Sequence, residues 1–397
     1  MTSRSSAQPR RGWSMGLAVL LSCVLLVLAA RPSHTADSAE AVTDMVNRLR
    51  LQEAPAPVRE RKTWRVPKKV VVLAFRRPGA GQGGRIAESE WRTFEAMIPQ
   101  ARFVPVDDEA AAIAAAADAD ILIGYNPEIC NRKIIEAAKS LRWILSLAAG
   151  VENCMALDSV HQRDLLVTNM RGVDSAVIAE HAIALTLALA HGLDVFAADT
   201  ARAQWRPAAA PKMETLSGKT LLVVGLGGIG TEVARRAHGL GMNVIATRGS
   251  GTGGPDFVSH VGSPAELLTL ARSADVIVNS TPLTPQTTHL FDDKFFAVVK
   301  PSAYFINVAR GQSADTTALV KALNEQRLAG AGLDVVDPEP LPPDHPLWRA
   351  PHVLITPHTS SGSDLPEKER WMLVRENLRR YAAGEKMLSV VNLQRQY

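Results

Sequence analysis

Three side chains in the last quarter of the chain have the types needed to reduce a carbonyl. Arg310, in Asn307-Val308-Ala309-Arg310-Gly311, is followed by Glu339 and then by His358. A guanidinium is a fixed cation whose planar fork matches a carboxylate through two parallel hydrogen bonds. An imidazole can give a proton to a carbonyl oxygen near neutral pH as hydride reaches the carbon. A carboxylate beside the imidazole orients it and favours its charged form. The set predicts nicotinamide-dependent reduction of a 2-keto acid. Arg310, Glu339 and His358 are the expected catalytic residues, and Arg310 also grips the substrate.

Residues so far apart need a scaffold that gathers them. From Lys68 onward, short apolar runs alternate with helical stretches. KKVVVLAF, ARFVPV, ADILIGY, LRWILSL and LLVTN read as strands, with helices expected over 89–98 and 108–117. This is the rhythm of parallel strands covered by helices on both faces. A second series opens with KTLLVVGLGGIG, where a glycine-rich turn follows a strand and starts a helix expected over 231–241. Gly225 suits the tight turn, Gly227 a close backbone approach to a pyrophosphate, and Gly230 close helix–strand packing, with Gly228 and Ile229 between them. The helix N-terminus then faces phosphate. MNVIATR, DVIVNST, AYFINVA and GLDVV continue the series. The expected fold class is α/β, with two doubly wound parallel-sheet domains.

The strand MNVIATR ends at Arg248, where an NAD-specific site carries an acidic residue for the ribose hydroxyls. A guanidinium there attracts a 2′-phosphate that a carboxylate would repel, and Ser250 can add a hydrogen bond. NADP is therefore the preferred cofactor, with NAD the alternative. Pro282 and Val308, at the ends of later strands, complete the expected cofactor wall; no metal site is expected. The apolar run 174–191 reads as a buried or interface helix. Glu180 and His181 within it read as a hydrogen-bonded pair at a domain or subunit seam, and His289 as a surface residue. The Gly/Arg-rich loop 76–85 and Tyr125-Asn126 shape the pocket without naming the keto acid.

Charge narrows the partners. Residues 1–36 hold Arg4, Arg10, Arg11 and Arg31 and no acidic residue, so the body carries 44 − 4 = 40 basic against 40 acidic side chains. A neutral body offers no footprint for nucleic acid. Arg10-Arg11 precede the uncharged run Gly12–Ala30, which describes a secretory signal or an uncleaved membrane anchor. The charge bias leaves the body outside the cytoplasm, and any membrane contact runs through this segment alone. The arginine pair with Gly12-Trp13 resembles a twin-arginine signal, a route for a protein already folded around its cofactor. Residues 37–66 read as a spacer with one short helix at most. Only Cys130 and Cys154 follow the leader, so no disulfide framework is expected, and spacing leaves open whether the two thiols meet.

In order along the chain stand LSLAAGVENC, VTNMRGV, AEHAIALTLALA, LSGKTLLVVGLGGIG, STPLTPQT, FINVARG, GAGLDVVDPEPLP, HPLW and ITPH. Together they resemble the D-isomer-specific 2-hydroxyacid dehydrogenase family, which includes glyoxylate/hydroxypyruvate reductases and phosphoglycerate dehydrogenases. The resemblance implies a central Rossmann nucleotide-binding domain inserted in a split flavodoxin-like substrate domain. The expected divisions are a leader over 1–36, a linker over 37–66, substrate domain over 67–168 and 359–397, and nucleotide-binding domain over 169–358. The resemblance further implies that backbone N–H groups at Ala149 and Gly150 hold the substrate carboxylate and that Asp334 contacts the nicotinamide amide. It assigns the same roles to Arg310, Glu339 and His358, giving a D-2-hydroxy acid from a small 2-keto acid of glyoxylate or hydroxypyruvate type. A homodimer is expected. Glu339 argues against formate, because formate dehydrogenases of the family resemble a Gln-His arrangement there. Two rivals keep the fold: an enzyme acting on another small anion such as phosphite, and a non-catalytic nucleotide-sensing scaffold. The leader counts against the scaffold, since a nuclear partner is out of reach after export.

Overall fold

The computed structural model describes residues 37–74, 88–209, 211–362 and 366–396. The leader 1–36 and the loop 76–85 lie outside the described residues. Two parallel sheets make the fold. The first takes β1 (Lys69–Leu73), β2 (Arg102–Val106), β3 (Ile121–Gly124), β4 (Trp143–Ser146) and β5 (Leu166–Thr168) in the order β2-β1-β3-β4-β5. The second takes β6 (Thr220–Val224), β7 (Asn243–Thr247), β8 (His260–Gly262), β9 (Val276–Asn279), β10 (Tyr304–Asn307), β11 (Gly330–Leu333) and β12 (Val353–Ile355), in the order β12-β11-β10-β9-β6-β7-β8. Strands β1, β3, β4, β9 and β10 are buried at every position. Helices cover both their faces, so their sequences are unbroken apolar runs rather than alternating ones. Each sheet reverses its order once, between β1 and β3 and between β6 and β9. Crevices for ligands form at the carboxyl ends of such reversals.

The expected strands are present, while β8 and β12 are additions of three residues each whose sequences are too short to show a pattern. The helix after β6 spans Gly228–Gly239 and so starts three residues before the expected 231, since its glycines turn directly into helical geometry. The apolar helix Ser175–Ala190 packs against β10, β11 and the helix Gly228–Gly239. Glu180 and His181 are hydrogen-bonded there, but to other elements rather than to each other. Glu180 meets Arg236 at 2.7 Å, and His181 meets Thr356 at 2.8 Å.

Residues 37–66 are no spacer: they strap the first sheet. Ser38 caps the helix Ala39–Arg48, whose Met45 is 0% exposed. Asp37 takes both forks of Arg375, at 2.7 and 3.0 Å. Ala54 N–H donates to the Met387 carbonyl at 2.7 Å, and Trp64 Nε1 to the Tyr381 carbonyl at 3.0 Å. Tyr381 belongs to the C-terminal helix Pro366–Ala383 and stacks on Trp143 of β4 with ring centroids 4.8 Å apart. The first and last of the described segments thus both pack on the first sheet. Cys130 and Cys154, whose pairing the sequence left open, form a disulfide with Cα atoms 4.8 Å apart. They meet because the loop after β3 and the helix after β4 lie side by side.

If the strap belongs to the core, Met45→Ala should lower stability by about 2–5 kcal/mol, read from denaturant unfolding. A loss below about 0.5 kcal/mol, typical of surface substitutions, would return the segment to spacer status.

Candidate active site

A cleft of about 2680 Å³ runs between the two sheets. Small-ligand sites are roughly 300–1,000 Å³, so this cleft has room for a dinucleotide and a small acid together. At the nucleotide end, Gly225 leaves β6 with φ +98°, and a Cβ there would stand 2.9 Å from the Ser280 carbonyl carbon and oxygen. Only glycine makes that turn without strain. Gly227 caps the following helix with no side-chain bond, so the first helical N–H groups face the cleft as a ready anion site. Gly228, Ile229, Pro282 and Val308 line the same wall. Arg248, just beyond β7, donates from Nη1 to the Gly253 carbonyl at 3.0 Å, and Ser250 from Oγ to the Thr252 carbonyl at 2.9 Å. Both face the cleft, and one bond leaves most of the guanidinium donors for a ligand. A nicotinamide dinucleotide fits these residues.

The substrate end is built from the turn after β10. Asn307 Nδ2 and Ser313 Oγ both donate to the Arg310 carbonyl, at 3.0 and 2.6 Å. Asn279 Nδ2 donates to Asn307 Oδ1 at 3.0 Å and to Ser313 Oγ at 2.6 Å. On this fixed backbone the Arg310 side chain crosses to the first sheet. Its guanidinium lies against Gly150, where a Cβ would fall inside the Nη2 group. The Ala149 carbonyl accepts from Asn169 Nδ2 at 2.6 Å, and the Gly150 carbonyl from Asn126 Nδ2 at 3.2 Å. Among the described residues, neither the Ala149 nor the Gly150 N–H has a partner, and both residues line the cleft. Two free N–H groups beside a guanidinium suit a carboxylate.

His358 faces them from the segment after β12. Its Nδ1 meets Glu339 Oε1 at 2.6 Å, which leaves Nε2 as the nitrogen free for a ligand. The residue holds φ +52°, a strained value for a side chain with a Cβ. Asp334, 1% exposed, supplies the restraint. Its carboxylate accepts from Thr356 Oγ1 at 2.7 Å, Thr359 N–H at 3.0 Å and Ser360 N–H at 3.1 Å. Burial opposes its charge, but the bonds from Ser360, Thr356 and Thr359 outweigh that and hold the carboxyl below its ordinary range. Asp334 thus anchors the segment that carries the histidine.

Glu152 is the residue that sequence reasoning misses. Its Oε1 accepts from Arg310 Nε at 3.0 Å. Burial works against its charge, yet the Arg310 cation beside it prevails and holds the carboxyl below the usual range. The one signal available was its place two residues after Gly150 in LSLAAGVENC. Asn126 and Asn169 are likewise legible only once the loops are placed. Among the described residues no group of His, Cys, Asp or Glu is arranged to hold a metal.

Residues 183–360 match the family model described as D-isomer specific 2-hydroxyacid dehydrogenase, NAD binding domain. A glyoxylate reductase from Korarchaeum cryptofilum is 33% identical over 279 residues, covering 69% of this chain and 83% of that protein. A D-isomer specific 2-hydroxyacid dehydrogenase family protein from Aeromonas salmonicida superposes with a TM-score of 0.69 at 28% identity, covering 82% of this chain and 99% of that one. A D-isomer specific 2-hydroxyacid dehydrogenase from Xanthobacter autotrophicus, solved in complex with NADPH and MES, gives 0.66 at 25% identity, covering 82% and 100%. The chain belongs to the D-isomer specific 2-hydroxyacid dehydrogenase family, a family of oxidoreductases.

Proposed function

We propose that this chain reduces a small 2-keto acid of glyoxylate or hydroxypyruvate type to its D-2-hydroxy acid, with NADPH preferred over NADH. The reading rests on one observation: the His358–Glu339 pair, at 2.6 Å, shares a cleft with Arg310, the free N–H groups of Ala149 and Gly150, and the glycine turn. The glyoxylate reductase activity named for the Korarchaeum relative supports it. When bound, a reduced nicotinamide supplies the hydride. The two N–H groups and Arg310 hold the substrate carboxylate and C2 oxygen. His358 keeps a proton at Nε2 for that oxygen, and Glu339 offsets the imidazolium charge. As negative charge develops on the oxygen, both cations contribute more than they do in the ground state.

His358→Ala should lower kcat by about two to four orders of magnitude, the range for a lost general acid. Arg310→Ala should raise KM and lower kcat together, since the arginine contacts both ground and transition states. Both are read from reduced-cofactor absorbance with glyoxylate and hydroxypyruvate. An unchanged kcat in His358→Ala sinks the assigned role.

The cofactor preference follows from Arg248. A charge-assisted contact to a 2′-phosphate contributes about 1.5–3 kcal/mol, or roughly ten- to a hundred-fold in affinity. Arg248→Asp should reverse the preference, because a carboxylate repels the phosphate and accepts bonds from ribose hydroxyls. If the unaltered enzyme already prefers NADH, Arg248 points to solvent while the dehydrogenase reading stands.

Export of the body is supported by the basic-then-apolar leader and by the Cys130–Cys154 bond, since disulfides persist in oxidising compartments. Cell fractionation should recover the chain outside the cytoplasm, with both thiols blocked until a reductant is added. A cytoplasmic chain with both thiols free overturns the assignment.

A further inference from the structure

Glu152 has no part in the reaction as derived, yet it is built against the group that grips the substrate. Oε1 accepts from Arg310 Nε at 3.0 Å, and Oε2 from Arg310 Nη2 at 3.4 Å. Arg310 Nη1 donates to the Ala309 carbonyl at 2.7 Å. A guanidinium has five N–H donors. These contacts take the Nε–Nη2 edge and one hydrogen of Nη1. One hydrogen on Nη1 and one on Nη2 remain.

The carboxylate is itself held on two sides. Asn126 Nδ2 reaches Oε1 at 3.4 Å and the Gly150 carbonyl at 3.2 Å, tying Glu152 to the loop after β3. Cys154, two residues along the same short helix, is bonded to Cys130 of that loop. A covalent and a polar link therefore fix the backbone from which Glu152 extends. Gly150 leaves no Cβ between it and the guanidinium.

We propose, resting on the reductase reading above, that Glu152 is a positioning and specificity-determining residue. It holds Arg310 side-on, so that only the end of the fork meets the substrate. It also offsets the arginine charge, so that small 2-keto acids bind through directed hydrogen bonds and other anions are not drawn in by charge alone. Orientation matters most in the transition state, where the C2 oxygen becomes an alkoxide that must sit within reach of a fixed donor. The charge offset acts on any bound anion, because a nearby carboxylate weakens the hold on it, so its main mark is on binding.

The two effects separate in Glu152→Gln, which keeps the volume and removes the charge. Its kcat should fall by about ten-fold or more, while KM for glyoxylate stays level or falls. Oxamate, a non-reducible keto-acid mimic, should bind as tightly or more tightly by calorimetry with NADP present. Glu152→Asp restores the charge on a shorter stem, so kcat should recover toward the unaltered value and oxamate affinity should return to it. A local packing defect would instead raise KM, weaken oxamate binding and lower kcat together, and that pattern overturns the proposal, as does an unchanged kcat. Should the unaltered enzyme reduce no keto acid, the reductase reading fails. Oxamate binding then still decides for Glu152, since weaker binding in Glu152→Gln removes the charge offset.

Discussion

The catalytic loops of the second sheet hang on buried polar groups at the carboxyl ends of β9, β10 and β11. Asn279, Asn307 and Asp334 stand at or just past those ends, each 0–1% exposed. A buried amide or carboxylate is costly when unpaired, and the low dielectric that makes it costly also strengthens each bond it forms. Here the bonds reach the backbone of the two functional loops. Asn279 takes Thr281 N–H at 3.0 Å and so fixes the start of the cofactor loop, while its amide supports Asn307 and Ser313 beneath Arg310. Asp334 fixes Thr356 before His358 and Thr359 and Ser360 after it. Arginine and histidine are therefore positioned from below by buried groups.

The crossing from the first sheet to the second, 169–175, is braced by the strap and by the C-terminal helix. A Cβ on Gly172 would stand 2.7 Å from the Leu49 carbonyl, so the strap lies directly against the crossing. Arg370 of the C-terminal helix meets Asp174 at 2.9 Å on the same segment. Burial raises the Asp174 carboxyl above its usual range, with Arg370 opposing only in part. Any change in the angle between the sheets must bend a segment packed against the strap and tied to the last helix. Residues 37–66 thus belong to the mechanics of the cleft as well as to the core.

How much was legible follows from where the information sits. Buried parallel strands are local apolar runs, and a glycine turn between strand and helix is a local motif, so the fold and the nucleotide end were readable. Arg310, Glu339 and His358 were expected from short runs that each carry their own chemistry, and the three line one cleft. The strap was not, because its helix is short and shows one fully buried side chain, Met45. The strands β8 and β12 were too short for any periodicity. Glu152 and Arg310 are 158 residues apart, and Cys130 and Cys154 are 24 apart on separate elements. No local rule joins such pairs; only the packing of one sheet against the other does.

Charge balance gives the site its character. Three cations at the substrate end are each matched by a carboxylate: Arg310 by Glu152, His358 by Glu339, Arg370 by Asp174. An unmatched cluster of cations would bind any anion in a wide, open cleft, and its attraction would vary with ionic strength. Matched pairs have little net field at a distance, and what remains is directional: two backbone N–H groups, the end of a guanidinium and one imidazole nitrogen. Such a set rewards a ligand that carries a carboxylate and an adjacent carbonyl in one plane. The small keto acid proposed above has little other surface by which to be recognised, and on that proposal selection falls to the direction of the donors rather than to the amount of charge.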